Sequence, residues 1–467
     1  MFHPPRRSLR VLLAAGALLA AAVSARAQAA PPRPPNLILI FADDLGYADI
    51  GPFGAKGYAT PHLDRVAAEG IKFTDFYAAA PLCTPSRAAL LTGCYPQRVG
   101  LTRVLFPWDR VGLHPEETTL AELLRSRGYA TACIGKWHLG QLPPHLPTRH
   151  GFDTYFGIPY SNDMSPDPRN NPSPGPYVYP PLPLVRNEIT IDTEPDQSQL
   201  TARYTAEAVR FIEAHKDQPF FLYLPHTMPH VPLYASDPFM GKSPRGLYGD
   251  VIQELDDSVG QILTALQRLG LDNQTLLVFT SDNGPWAGKG EHAGSAGPLR
   301  GAKGQALEGG MRVPFLARFP GRILAGAVAS EPATTLDLLP TFAHLAGAPL
   351  PDRPIDGQNI WPLLAGEPGA ASPHDAIYYY TAHQLRAVRS GRWKLCVALP
   401  GMRKALDQPV LYDLATDLHE DHNVAADHPE VVARMMTLIT RARRDLGDTL
   451  TQSRGAATRP ALTLPAH

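Results

Sequence analysis

One repeated pattern constrains the fold of this chain more than any other. A short apolar run, a polar turn and a stretch of helical periodicity recur from the Pro-rich segment 31–35 to about residue 375. Leu37, Ile38, Leu39, Ile40 and Phe41 leave no polar face, so this run predicts a fully buried strand. Thr60-Pro61 then opens a helix that Gly70 closes. Val251, Leu255, Val259, Ile262, Leu266 and Leu269 share one helical face that stops at Gly270, ahead of a strand over 275–280. Such βα units in series predict an α/β fold: a large, mixed, mainly parallel sheet sandwiched by helices.

From Ala376 onward the pattern changes to short runs at 377–380, 385–388, 393–397 and 410–412, then a helical stretch near 431–446. That predicts a smaller antiparallel sheet with one helix. A chain of 467 residues exceeds the usual size of one compact domain. Two domains are expected, a catalytic one over 34–373 and an α+β subdomain over 374–451, followed by a loosely ordered tail over 452–467. The Pro- and Asn-rich segment 165–183 reads as a long surface loop.

Arg6 and Arg7, the apolar run 11–23 and Ala25-Arg26-Ala27 read as an export signal over residues 1–27, which implies a periplasmic or secreted mature chain. The run is shorter than the ~20 apolar residues of a spanning helix. Four cysteines without a CxxC pair exclude a disulfide scaffold, and Cys94, Cys133 and Cys396 read as small buried hydrophobes or halves of one bridge. The 43 basic and 44 acidic residues nearly cancel and no basic tract appears, which argues against nucleic acid as a partner.

The chemistry begins where the buried runs end. The first leads to Asp43 and Asp44, the run 129–135 to Lys136 and His138, the run 220–224 to His226 and His230, and the run 276–280 to Asp282 and Asn283. In open α/β sheets the carboxyl ends of strands form the ligand crevice, so these endings should converge. Asp or Asn after a single strand is ordinarily a turn or cap residue. Taken together, three carboxylates and an amide oxygen suit a hard cation, Ca²⁺ or Mg²⁺, rather than zinc. Arg87, Lys136 and Lys303 would add uncompensated positive charge unless the substrate is an anion, and a tetrahedral oxyanion would balance it. Cys83 precedes a short helical run whose first turn suits Pro85, so it should sit at a helix N-terminus, where an anion is favoured. A thiolate of lowered pKa is one reading of that position. A soft thiolate is nevertheless a poor partner for a hard oxygen-binding metal.

The segment Cys83-Thr84-Pro85-Ser86-Arg87, continuing as AALLTG through Gly93, closely resembles the signature of type I sulfatases. The likeness spans nearly all of the mature chain: FADDLGYADIG from Phe41, GKWHLG from Gly135, GIPYS from Gly157, SDNG from Ser281, RGAKG from Arg300, EGGMRVP from Glu308 and LYDLATD from Leu411. It is nearest to the arylsulfatase A and N-acetylgalactosamine-6-sulfatase branch of the alkaline-phosphatase-like superfamily. The resemblance implies that Cys83 is oxidised to formylglycine (3-oxoalanine) by a formylglycine-generating enzyme. It further implies that Asp43, Asp44, Asp282 and Asn283, with modified Cys83, bind one Ca²⁺. Arg87 would hold the formylglycine hydrate, Lys136 and Lys303 would neutralise sulfate oxygens, and Ser161 would add a hydrogen bond. His138 and His230 would move protons, His230 being preferred over His226 for its His-Val-Pro context. The expected substrate is a sulfated small molecule, glycan or lipid. A phosphate or phosphonate monoester hydrolase on the same fold is the nearest alternative, and a catalytically inactive sulfated-glycan-binding protein is another.

Overall fold

The computed structural model describes residues 1–2, 33–168 and 177–465. The export signal expected over 1–27 lies almost wholly outside the described residues, as does the middle of the 165–183 loop. Among the described residues no helix is long and apolar enough to cross a membrane.

Five parallel strands form the centre of the large sheet: β1 (Asn36–Ala42), β2 (Ala130–Ile134), β3 (Thr154–Gly157), β4 (Phe220–Pro225) and β5 (Thr275–Ser281). Across the sheet they lie in the order β5-β1-β4-β2-β3. β1 is flanked on both sides by parallel neighbours, with Leu39 opposite Val278 and Tyr223. Antiparallel strands extend both edges: Phe315–Arg318 beside β5, and Pro183–Arg186 followed by Ile189–Thr193 beside β3. The sheet is thus mixed and mainly parallel, as the βα pattern predicts.

Alternation along β1 sends its side chains into two cores. Leu37, Leu39 and Phe41 pack with the helices Cys83–Thr92, Leu120–Ser126 and Leu338–Ala346. Ile38 and Ile40 pack on the opposite face with Pro61–Ala68, Leu200–Ala214 and Leu247–Arg268. Burial on both faces explains why these strands read as unbroken apolar runs.

The C-terminal sheet is an antiparallel meander of Ile377–Thr381, Gln384–Ser390, Trp393–Cys396 and Val410–Asp413, covered by the helix Pro429–Leu446. Its core is shared rather than separate: Tyr378, Leu395 and Ile439 pack with Ala79, Ala89, Tyr95 and Leu336 of the larger part. From Pro34 onward the chain forms one compact unit, with the sheet and helix of the C-terminal part packed into it. The loosely ordered tail is corrected. Leu462–Thr463 pairs with Val111–Gly112, and Arg459 reaches the Glu117 carboxylate at 2.6 and 2.7 Å. Hydrogen bonding at a sheet edge and a paired charge order this segment without any apolar period.

Candidate active site

The carboxyl ends of β1, β2, β4 and β5 converge, and main-chain hydrogen bonds lock them together. Asp43 N–H donates to the Met228 carbonyl, Asp282 N–H to Ala42 and Lys136 N–H to Pro225. The turn after β2 needs Gly135: its φ is +133°, and a Cβ there would stand 1.9 Å from the Pro225 carbonyl oxygen. Asp44 and His138 hold positive φ values of 64° and 62°, a conformation that costs energy for non-glycine residues and recurs at functional sites.

All the buried site carboxylates are paired with cations. Lys136 Nζ donates to Asp43 Oδ2 at 2.5 Å and to Ser161 Oγ at 3.1 Å. Arg87, wholly buried, donates to Asp282 Oδ2 at 2.9 Å and lies 3.5 Å from Asp43 Oδ1. Lys303 Nζ donates to Asp44 Oδ2 at 2.7 Å. Asn283 Nδ2 donates to Asp44 Oδ1 at 2.8 Å, whereas its Oδ1 is buried with no hydrogen-bond partner. Asp43 Oδ1 is likewise without a hydrogen bond. Asp43, Asp44 and His230 can each offer a ligand atom within 4.8 Å of the others. Buried oxygens without a donor, on residues of one acidic site, are what a hard cation needs, so the residues fit such an ion.

Cys83 is the first residue of its helix and is 2% exposed. Burial pushes its thiol pKa up, against the opposing pull of Lys136 and Lys303. This corrects the thiolate reading: an unmodified Cys83 stays a neutral thiol and a weak nucleophile. Burial also raises Asp43, but Lys136 and Arg87 outweigh it and hold that carboxyl well below the usual range. Burial and then the neighbouring Asp43 push Asp282 up to about 7.

The histidines divide by position. His230 Nε2 lies 3.6 Å from Asp44 Oδ2, while Nδ1 donates to the Val231 carbonyl at 2.6 Å. Burial first, then Lys303, press its pKa down to about 3. His226 instead meets Ser258 Oγ at 3.2 Å, in the core beneath the Leu247–Arg268 helix. His138 donates from Nε2 to the Leu105 carbonyl at 2.9 Å, which leaves Nδ1 as an unpartnered acceptor.

The structure adds a residue that sequence reasoning passed over. The Trp286 ring meets His230 edge to face at 5.4 Å and lies under the Lys303 and Lys289 ammonium groups, at 4.3 and 3.9 Å. Its place three residues beyond Asn283, on the loop leaving β5, was the available signal.

Three carboxylates and three fixed cations cancel, so a bound divalent ion would leave the crevice positive and ready for an anion. Fold and site together define an ester hydrolase for tetrahedral oxyanions on the alkaline-phosphatase-like scaffold. The sequence model of the sulfatase family matches residues 35–348, and that of the C-terminal part of N-sulphoglucosamine sulphohydrolase matches 303–445. The chain belongs to the sulfatase family and is a sulfuric ester hydrolase. It is 41% identical to human arylsulfatase A (Homo sapiens), with 99% of this chain and 96% of that protein covered. It is 42% identical to human N-acetylgalactosamine-6-sulfatase (Homo sapiens), with 78% and 71% covered. Of solved structures, Ps i-CgsB superposes with a TM-score of 0.79 at 33% identity, covering 91% and 96% of the two chains. PsFucS1 sulfatase from Pseudoalteromonas sp. gives 0.77 at 29% identity, covering 88% and 91%.

Proposed function

We propose that Cys83 is converted to formylglycine by a formylglycine-generating enzyme, and that Asp43, Asp44, Asp282 and Asn283 hold one Ca²⁺ beside it, Mg²⁺ being the less suitable ion. The observation that carries this reading is the undonated Asn283 Oδ1 and Asp43 Oδ1 in one buried cluster with Cys83 at a helix N-terminus. Formylglycine supplies a geminal diol as attacking group, which a buried neutral thiol does not. Calcium supplies Lewis acidity at the same place.

The surrounding side chains do the rest. Lys136 and Lys303 bind the sulfate oxygens and offset the charge that shifts as the ester bond breaks, and Ser161 adds a hydrogen bond. Arg87 is held by Asp282 and the Lys136 carbonyl, and orients the hydrated side chain at position 83. His230 Nδ1 is committed to the Val231 carbonyl, so the proton for the leaving oxygen would come from Nε2 of the imidazolium form, which an anionic ester beside the ring favours, and it is needed because an alkoxide is a poor leaving group at neutral pH. His138 takes up a proton at Nδ1, the nitrogen its bond to Leu105 leaves free.

The substrate class follows from the relatives, whose names include arylsulfatase, steryl-sulfatase and N-acetylgalactosamine-6-sulfatase: a sulfated small molecule, glycan or lipid. Export to the periplasm or beyond agrees with the N-terminal sequence. The test compares 4-nitrophenyl sulfate with 4-nitrophenyl phosphate, using protein co-expressed with a formylglycine-generating enzyme and Cys83→Ala as blank. Sulfate turnover that vanishes in the variant is expected. Turnover that favours phosphate, or survives the substitution, would overturn the formylglycine mechanism.

A further inference from the structure

Four aromatic rings from two loops meet on the surface. Phe106 and Trp108 stack in parallel at 5.0 Å with an interplanar angle of 1°, and Trp108 stacks on Tyr179 at 5.5 Å. Tyr177 closes the group, 5.5 Å from Trp108 and 6.1 Å from Tyr179. Trp108 is 47% exposed and Tyr177 51%. Exposing so much contiguous ring surface is unfavourable unless something covers it in use.

The group is built rather than adventitious. Asp109 accepts both guanidinium nitrogens of Arg103 at 2.7 Å and the Phe106 N–H at 2.7 Å, and Gln141 donates to the Pro107 and Asp109 carbonyls at 2.8 and 2.6 Å. The loop that carries Trp108 is thus fixed before any ligand arrives, which lowers the entropy cost of binding.

Both loops are tied to the catalytic residues. Leu105, next to Phe106, donates from its N–H to Thr84 Oγ1 at 3.2 Å and accepts from His138 Nε2 at 2.9 Å. Tyr160, next to Ser161, donates to the Pro181 carbonyl at 3.3 Å, two residues beyond Tyr179. The rings are thus carried on segments that are hydrogen-bonded to, or adjoin, the residues assigned to ester cleavage.

We propose that Phe106, Trp108, Tyr177 and Tyr179 form a stacking platform for the pyranose ring adjoining the sulfated one in a sulfated oligosaccharide. The inference rests on the sulfatase reading above. A sugar ring offers a C–H face to the rings and hydroxyls to the indole N–H and the two phenol groups, and aromatic side chains with a polar tip suit such half-wet contacts. A sterol or alkyl chain would cover those polar tips without pairing them, at a cost. Four rings in one group also present more surface than one small phenol can cover.

The experiment measures kcat and KM of the converted enzyme on chondroitin sulfate and κ-carrageenan tetrasaccharides, estrone sulfate and 4-nitrophenyl sulfate. Wild type is compared with Trp108→Ala and with Tyr177→Ala, both at exposed positions. At least one tetrasaccharide should be hydrolysed, and both variants should lower its kcat/KM about tenfold relative to 4-nitrophenyl sulfate, through KM. An unchanged ratio would overturn the platform. So would turnover of 4-nitrophenyl sulfate with no tetrasaccharide accepted, or estrone sulfate as the substrate whose KM follows Trp108. Failure of wild type on every ester, 4-nitrophenyl sulfate included, would instead overturn the catalytic reading and this one with it.

Discussion

A buried amide oxygen that no donor reaches is unfavourable unless a cation faces it, and Asn283 Oδ1 is such an atom. Its own Nδ2 is already committed to Asp44 Oδ1 and the Gly284 carbonyl, so the side chain cannot flip without losing two bonds. This is the arrangement expected of the calcium ligand proposed above, held in place before the ion arrives. Calcium at a hundred times its Kd should stabilise the protein by about 2.7 kcal/mol, and chelation should remove that gain. In Asn283→Ala the calcium concentration at half-maximal stabilisation should rise at least about tenfold. Thermal unfolding followed across a calcium titration measures both, and an unchanged half-point in the variant would remove Asn283 from the ligand set.

Elements carry a second kind of constraint, visible where the Leu338–Ala346 helix begins. Asp337 accepts from the Thr334 and Gln358 N–H groups at 2.7 and 2.8 Å and meets His374 Nε2 at 2.7 Å. Burial lowers the His374 pKa, but Asp337 outweighs it and the net shift is upward. A histidine whose folded pKa is raised contributes stability that is complete below its unfolded value near 6.5 and is lost as pH rises through the folded value. His374→Gln should thus cost about 1.5–3 kcal/mol at pH 5.5 and distinctly less at pH 9, measured by urea unfolding at both. An equal loss at the two pH values would leave the charge out of the account. This contact was not legible in the sequence, because His374 and Asp337 are distant along the chain and neither interrupts a pattern. β1, β4 and β5 were legible because burial on both faces makes them uniformly apolar. The edge strand Ile189–Thr193 was not: Ile189 is 70% exposed and the strand mixes polar and apolar residues without a buried face. The site residues were readable as strand endings, but Trp286 and the aromatic group at Phe106 and Tyr177 come from loops, where no period marks them.

At the scale of the whole molecule, the C-terminal sheet holds part of the active site in place. Lys394, on the strand Trp393–Cys396, is fully buried and bonds Glu308 Oε1 at 3.0 Å and Glu420 Oε1 at 2.8 Å. Glu308 also accepts from the hydroxyls of Tyr77 at 2.6 Å and Tyr379 at 2.8 Å. Glu420 in turn accepts the Glu308 N–H at 2.8 Å, and its carbonyl accepts from Arg300 at 2.8 Å. Arg300 and Glu308 bracket Lys303, so the network fixes both ends of the loop that carries the lysine proposed to bind a sulfate oxygen. Burial raises the Glu308 pKa, but Lys394 leads the cations that press it down to about 2, which makes the carboxylate dependent on that lysine. Lys394→Met keeps the stem's volume and removes the charge, leaving two buried carboxylates with too little compensation. The variant should lose about 3–5 kcal/mol in urea unfolding. It should also lower kcat/KM for 4-nitrophenyl sulfate, although Lys394 lies outside the cluster around Cys83. A loss below about 1 kcal/mol would mean that Arg312, 3.6 Å from Glu308 Oε2, and Arg389 already balance the charge. Full stability loss with unchanged turnover at low temperature would separate the two effects and free the Lys303 loop from the C-terminal sheet.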